Sequence, residues 1–372
     1  MRILILNWKD LANPAAGGAE VLTEEVARAL VRRGHHVTLF ASAVEGRPSR
    51  ETVAGVEIVR EGSRLSVYRA ARRFWSQERA EPYDVVIDEI NTRPFMTPRW
   101  IRDTPILALI HQLAREIWFY EMPFPVSVLG RYILEPWWLR AYRDVPATTV
   151  SASSAESLAR HHGWRDVTVI PEGYTPHPIP SVPKEPEPTV VFLGRLVAMK
   201  RPEDAIAAFR LLAQGFPSAR LWMIGDGPLL PRLRAAAPEA VEFLGRVGHE
   251  ELLERLARAH VLVATSVREG WGLNVSEAAA CGTPAIGYAV PGLVDSVPSS
   301  GGALVEPRPE PLAAALADFF SGRLELRATV STRPWPEVAE AVEARLEDVI
   351  ARWRSRAGRS TSRRRGRRRT PA

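Results

Sequence analysis

REGWGLNVSEAAACGTP, residues Arg268–Pro284, decides how the rest of the chain is read. It follows VLVATS (Val261–Ser266), an apolar run of strand length, and precedes AIGYA (Ala285–Ala289), a second such run. Between them, Val275 to Cys281 reads as a small-residue helix stopped by Gly282. Strand, loop, helix and strand make the repeating unit of an open parallel sheet, where ligands bind at strand ends and helix starts. Glu269 falls on the loop that leaves the strand, and Glu277 on the first turns of the helix.

A helix start offers free N–H groups and partial positive charge, which suit an anionic ligand such as a diphosphate. Carboxylates placed there cannot bind phosphate, but they accept hydrogen bonds from sugar hydroxyls. Gly270 and Gly272 remove side chains where a ligand must approach the backbone. The implied ligand carries hydroxyls at both ends and negative charge between them. A nucleotide-activated sugar has that form.

Working outward, the strand Val190–Leu193 runs into Gly194, Arg195 and, five residues later, Lys200, before a helix begins. Arginine grips phosphate oxygens bidentately and lysine acts as a point charge, so the pair reads as a diphosphate clamp. LWMIGDGP (Leu221–Pro228) adds a strand and a turn with Gly225 and Gly227, and VEFLGRVGHEELLERLARAH a further strand and helix. The first half repeats this architecture. Strand RILILN leads through a loop with Gly17-Gly18 into a helix from about Glu20 to Arg33, then into strand HHVTLFAS. The Gly-Gly pair is not the G-x-G-x-x-G fingerprint of dinucleotide enzymes. DVVIDEIN ends in Asp88, Glu89 and Asn91, and PILALIH ends in His111, both where substrates sit in such a sheet. The following stretch, to Arg143, is dense in aromatics and reads as part core and part apolar acceptor groove.

Residues 268–284 resemble the E-x7-E motif of retaining GT-B glycosyltransferases, particularly family 4, written E-G-F/W-G-L-x-x-x-E-A-x-A-x-G-x-P. Glu269, Gly270, Trp271, Gly272, Leu273, Glu277, Ala278, Ala280, Gly282 and Pro284 match it, and Gly194 to Lys200 match the family's G-R-L-x-x-x-K. The resemblance covers about residues 1–351 and implies an α/β GT-B fold, two Rossmann-like doubly wound domains facing across a cleft. It implies a hexosyltransferase-class enzyme that moves a sugar from a UDP-, GDP- or other nucleotide-diphosphate donor with retention at the anomeric carbon. The acceptor would be a sugar, a lipid-linked molecule or a small molecule, as in polysaccharide, glycolipid or glycoside biosynthesis. Gly17 and Gly18 amides would join Arg195 and Lys200 on the diphosphate, Glu269 would orient the sugar hydroxyls, and Glu277 would hold the ribose. Gly194, Gly225, Gly227, Val247, Gly270, Trp271, Gly272, Leu273 and Asn274 would complete the donor site. His111 would stand beside the transferred sugar, with Glu89, Asn91, Trp118 and Tyr120 on the acceptor side. No D-x-D pair is evident, so no metal and no cofactor are expected. Two positions depart from the family: Pro291-Gly292 replaces a common Gly-Gly, and Glu172 stands where asparagine is usual. A GT-B-fold sugar-nucleotide epimerase and a catalytically silent scaffold member are the alternatives.

At 372 residues the chain suits two domains. The expected division is an acceptor domain over 1–176, a Pro-rich linker over 177–188 and a donor domain over 189–330. A helix over 331–351 returns to the first domain, and a disordered Arg-rich tail spans 352–372. That tail carries ten arginines and no acid; without them the net charge of +6 becomes −4, so the body is mildly acidic and nucleic acid is an unlikely partner. One cysteine, no apolar run of membrane-spanning length and no leader-like start point to a cytoplasmic protein. Residues 64–79, with five arginines beside Tyr68 and Trp75, read either as a surface helix packed on the sheet or, with the tail, as contacts to an anionic membrane.

Overall fold

The computed structural model describes residues 1–78, 81–175, 182–331 and 333–366, with side chains to residue 356. The first domain is built on eight strands: β1 (Arg2–Leu6), β2 (His36–Ala41), β3 (Arg50–Val53), β4 (Val56–Arg60), β5 (Val85–Glu89), β6 (Ile106–Leu109), β7 (Ala147–Thr149) and β8 (Val167–Val169). Their order is β3-β4-β2-β1-β5-β6-β7-β8, parallel except for the β3–β4 hairpin. Continuous runs such as ILIL and VVI are buried on both faces, as a helix-covered parallel sheet requires. The helix Gly18–Arg32 covers one face through Leu22, Val26, Ala29 and Leu30, and the chain turns away at Gly34, whose φ is +88°.

After the two-residue strand β9 (Gly173–Tyr174), the second domain holds β10 (Thr189–Leu193), β11 (Arg220–Ile224), β12 (Val241–Gly245), β13 (Val261–Ala264), β14 (Ala285–Tyr288) and β15 (Ala303–Val305). They form an all-parallel sheet in the order β12-β11-β10-β13-β14-β15. Each sheet has its own apolar core. The order reverses beside β1 and beside β10, so the strand ends carrying Asn7 and Gly194 open on the two switch points.

β16 (Arg333–Pro334) pairs with β9, and the helix Trp335–Gly366 then lies on the first domain, burying Trp335, Val338, Val342, Leu346 and Val349 in its core. The backbone stays helical to Gly366, whereas irregular chain was expected from residue 352. No proline interrupts Trp353–Gly366, and arginine is a good helix former, so the helix continues from an anchored start. Residues 177–181 of the expected linker lie outside the described residues. The remainder is fastened to the second domain: Lys184 Nζ donates to Ala259 O at 2.6 Å and to Thr283 Oγ1 at 2.8 Å.

The basic helix forms over Val67–Gln77, but its apolar face is spent on the core. Val67, Ala71 and Phe74 are buried, Tyr68 packs on Phe95, and Trp75 meets Tyr83 and Trp100. The packed-helix reading describes this element, and no aromatic face remains there for a membrane. Residue 79, the end of that stretch, lies outside the described residues.

Candidate active site

The two domains meet along the strand ends. A Cβ at Gly270 would stand 3.0 Å from His111 O, and one at Gly18 would stand 3.1 Å from Leu273 Cδ1. At Gly270 the close neighbour is backbone, which favours glycine where the two domains close, whereas at Gly18 it is the end of the Leu273 side chain. Trp271 crosses the gap: its ring is buried in the first domain's core, and its Nε1 donates to Ser276 Oγ at 2.9 Å. Expected on the donor, Trp271 instead braces one domain against the other. Arg268 of the second domain pairs with Glu116 of the first at 3.2 Å, and Gly292 N donates to Ser153 Oγ at 2.8 Å.

His111 ends the strand β6 side of this seam, 6% exposed between two carboxylates. Nδ1 is 3.3 Å from Glu172 Oε1, and Nε2 is 3.3 Å from Glu89 Oε1. Burial disfavours the imidazolium, yet the two glutamates outweigh it and push the ring up to about 10. Nε2 and Glu89 Oε1 form an ion-pair contact without a hydrogen bond, which leaves the Nε2 donor position unfilled. Glu89 is otherwise held by Thr23 Oγ1. The departure at Glu172 thus supplies one of the two carboxylates that charge His111.

Lys200 Nζ donates to Glu269 Oε1, which also accepts from Ser266 Oγ. The clamp cation and the expected sugar-binding carboxylate are thus one pair. Arg195 is exposed, and its charge reaches across the cleft to Lys9, whose ammonium burial lowers despite a 3.1 Å contact with Glu20. Glu20 also accepts from Gly17 N at 2.7 Å, and burial raises its carboxyl. Lys9 and Arg195 therefore bring two cations to the Gly17-Gly18 loop, while Lys200 stands with Glu269, next to the point where Gly270 approaches His111.

Glu277 is exposed at the surface, yet enough protein surrounds its carboxyl to disfavour the charge. Burial raises its carboxyl to about 6, with Glu172 adding to the shift. Asn274 anchors its helix to β10 through Leu193 O at 2.9 Å. Gly225 and Gly227 are pinned against Gly194 O and Leu196 O, where an added Cβ would lie 2.0 and 2.4 Å away. Val247 packs on the second domain's core.

On the acceptor side the residues divide. Asn91 Nδ2 donates to Asn7 Oδ1 at 3.0 Å and stays beside Glu20. Tyr120 is exposed, but Trp118 is 6% exposed and donates to Glu135, so it offers no face to an acceptor. Asp88 is likewise structural, holding Thr97 and Tyr142. Sequence reasoning missed Lys9, Glu20 and Arg268 as members of the seam. Lysine is rare in this chain, three against 46 arginines, which marks Lys9 only together with Lys184 and Lys200.

The facing sheets, the glycine seam and the motif residues around it find their counterparts in known proteins. The pattern described as "Glycosyltransferase Family 4" matches residues 16–177, and "Glycosyl transferases group 1" matches residues 177–333. The chain belongs to this glycosyltransferase family. Among solved GT-B structures, sucrose-phosphate synthase from Thermosynechococcus elongatus aligns over 97% of this chain and 99% of its own, with TM-score 0.72 and 20% identity. WaaG, a glycosyltransferase involved in lipopolysaccharide biosynthesis, aligns over 91% and 94%, with TM-score 0.69 and 18% identity. At these identities the likeness is one of fold. In sequence, a glycogen synthase of Mycobacterium tuberculosis is 24% identical over 80% of this chain and 80% of its own length. A GDP-mannose-dependent phosphatidylinositol dimannoside mannosyltransferase of the same species is 34% identical over 36% of this chain and 35% of its own. Among the described residues, no helix of this glycosyltransferase is long and apolar enough to cross a membrane, and no group of three or more acidic, histidine or cysteine side chains could hold a metal ion.

Proposed function

We propose that this glycosyltransferase transfers a hexose from a nucleotide-diphosphate sugar with retention of anomeric configuration. The observation that carries the reading is the approach of the two domains at Gly270 and His111, with the Lys200–Glu269 pair on one side of it and Lys9 facing Arg195 from the other domain. Breaking the bond between the anomeric carbon and the β-phosphate oxygen leaves negative charge on that phosphate. Three cations and the Gly17-Gly18 amides would stabilise it where it develops. Lys200 and Glu269 hold each other until phosphate oxygens and sugar hydroxyls replace them. Glu277, on its helix, is suited to the ribose hydroxyls, as the resemblance implies.

His111 does not serve as the base in this reading. A ring pushed up to about 10 keeps its proton at neutral pH, so it donates from Nε2 to an oxygen of the transferred sugar. The acceptor hydroxyl attacks from the face the leaving group departs, and its proton passes to the departing phosphate oxygen. The new bond forms on the old face. Side-chain cations would do the work of a divalent metal, and the enzyme is expected to act without one.

A panel of nucleotide sugars tests the donor assignment, because a ligand that binds only the folded state raises apparent stability. At least one UDP- or GDP-sugar should raise Tm, and its turnover with acceptor should survive EDTA and give a product of the donor's anomeric configuration by NMR. Inversion of configuration would reject retention, loss of activity in EDTA with recovery on magnesium would reject metal independence, and donor conversion without acceptor would favour an epimerase.

A further inference from the structure

Ten of the seventeen large apolar side chains that stand exposed among the described residues fall within residues 119–137. Eight of them are carried by the helix Ile117–Glu121 and by one helical run over 126–140, made of Val126–Leu129, Gly130–Leu134 and Glu135–Arg140, and Met122 and Phe124 lie in the turn between. Phe124 is 83% exposed, Tyr132 62%, Ile133 59% and Trp137 52%, so these side chains project from the surface instead of lining a hollow. Their base is fixed. Glu135, 2% exposed, accepts from Ala114 N, Arg115 N and Trp118 Nε1, and Gly130 lies on the Trp118 ring, where an added Cβ would come within 2.2 Å of Cε3. The apolar exposure therefore belongs to an anchored element.

We infer that residues 119–137 form a docking surface that inserts into the interface of an anionic lipid bilayer. Charge selects that occupant. Arg131 lies over the Tyr132 ring at 5.1 Å, Arg99 lies over Trp137 at 4.4 Å, and Arg140 is exposed alongside. Across residues 119–140 the exposed acid is Glu121, since Glu135 is buried. Aromatic rings with guanidinium groups beside them suit the headgroup layer of an anionic membrane, with Phe and Ile reaching the acyl boundary. The surface also borders the reaction site: Glu121 Oε1 accepts from Met199 N at 3.3 Å, in the turn that carries Lys200. On the proposed transferase reading, an acceptor with its apolar part in the bilayer would present its hydroxyl at the cleft mouth.

The full chain is tested with vesicles of phosphatidylcholine containing phosphatidylglycerol and with phosphatidylcholine alone. The arginines after residue 352 could bind such vesicles electrostatically, so the readout must report insertion. Cys281 is buried, so an environment-sensitive fluorophore will react at Ile133→Cys, and in a separate chain at Leu211→Cys on the second domain. On anionic vesicles, label 133 should brighten and be quenched by brominated acyl chains, both in low salt and in about 0.5 M salt, where the Debye length shrinks to roughly 4 Å, while label 211 should not respond. Phe124→Ser/Tyr132→Ser should lower vesicle partitioning at least tenfold while leaving the nucleotide-sugar thermal shift unchanged. Vesicle binding without quenching at label 133 would assign the contact to the C-terminal arginines and overturn the inference. Concentration-dependent dimerisation that the double substitution abolishes would assign the surface to a second copy and overturn it equally. The nucleotide-sugar shift reports separately on the transferase reading, so the two ideas can fail independently.

Discussion

His111 Nδ1 lies 3.3 Å from Glu172 Oε1, and this contact joins the strand end of the first domain to the position where the family usually places asparagine. Asparagine would bring no charge, so the glutamate changes what the histidine can do. Burial alone would drive His111 towards the neutral ring; Glu172 and Glu89 reverse that and raise it to about 10.

The first prediction concerns pH. A histidine whose folded value lies above its ordinary value of about 6.5 contributes stability that is full below 6.5 and fades as pH climbs towards 10. Tm should therefore fall across roughly pH 7 to 10 more than the lysines alone would dictate. In Glu172→Gln the ring should titrate at lower pH, so the fall in Tm should start in the same range, end at a lower pH and be smaller. Histidine NMR titration beside calorimetry measures both. A wild-type His111 that titrates near its ordinary value would refute the double-carboxylate account.

Lys200 and Glu269 give the second. Each is the other's partner, so Lys200→Ala removes the clamp and also leaves Glu269 with Ser266 alone. Turnover should drop about 10²–10³-fold, the scale of losing one preorganised charge donor at a transition state. Stability should fall by no more than about 3 kcal/mol, because the seam is supported elsewhere. Steady-state release of nucleoside diphosphate and urea unfolding test the two parts. In Lys200→Ala/Glu269→Gln the activity losses should be clearly less than additive, since the pair acts as a unit. Additive losses would separate the two roles.

Much of this site could be read from the chain because its donor half is local. Glu269, Gly270, Gly272 and Glu277 lie within nine residues of one strand–loop–helix, and that local geometry follows from spacing and turn chemistry. Partners separated by long stretches of chain could not be read in the same way. Glu172 finds His111 across 61 positions, and Lys9 feels the charge of Arg195 from the other domain, relationships that only the folded topology creates. The aromatic stretch after His111 shows a further limit. Trp118 and Phe124 sit in equally aromatic surroundings, but one is buried under Gly130 and the other is 83% exposed, because Phe124 falls in the turn between a five-residue helix and the helical run over 126–140, where no period sets its direction. Likewise the exposed-looking helix at 67–77 spends its aromatics on the core, since a basic face and a packed face can share one helix.

Glu277 yields the third prediction. Burial, with Glu172 beside it, raises the carboxyl to about 6. A group raised in the folded state favours folding at low pH and loses that contribution as pH rises through its folded value. Glu277→Gln should therefore leave Tm at pH 7.5 unchanged or raise it by up to about 2 °C, a small effect because the side chain remains open to solvent. Nucleotide binding should move the opposite way. In the wild type, affinity should weaken as pH falls below about 6, and in Glu277→Gln it should be weak throughout and nearly flat with pH. Calorimetric titration across pH 5 to 8 decides it, and an unchanged pH profile in the variant would remove Glu277 from the nucleotide site.

The last prediction separates closure from chemistry. Gly270 touches no phosphate in the proposed reading, but its Cα faces His111, and a methyl added there would meet His111 O at 3.0 Å and its Cβ at 3.1 Å. Both neighbours belong to a strand end fixed by Ser154 and the sheet, so they cannot retreat by the few tenths of an ångström required. Gly270→Ala should thus hold the domains slightly apart. Each domain has its own core, so Tm should fall by only a few degrees, on the order of 1 kcal/mol. Turnover should fall about 10–100-fold, because a reacting geometry displaced by a fraction of an ångström to one ångström loses that much. Nucleotide affinity should change little, since the donor's anchors lie mostly on the second domain. If Gly270→Ala instead keeps full turnover, the narrow approach between Gly270 and His111 is not part of the active geometry, and His111 then has no claim to the transferred sugar.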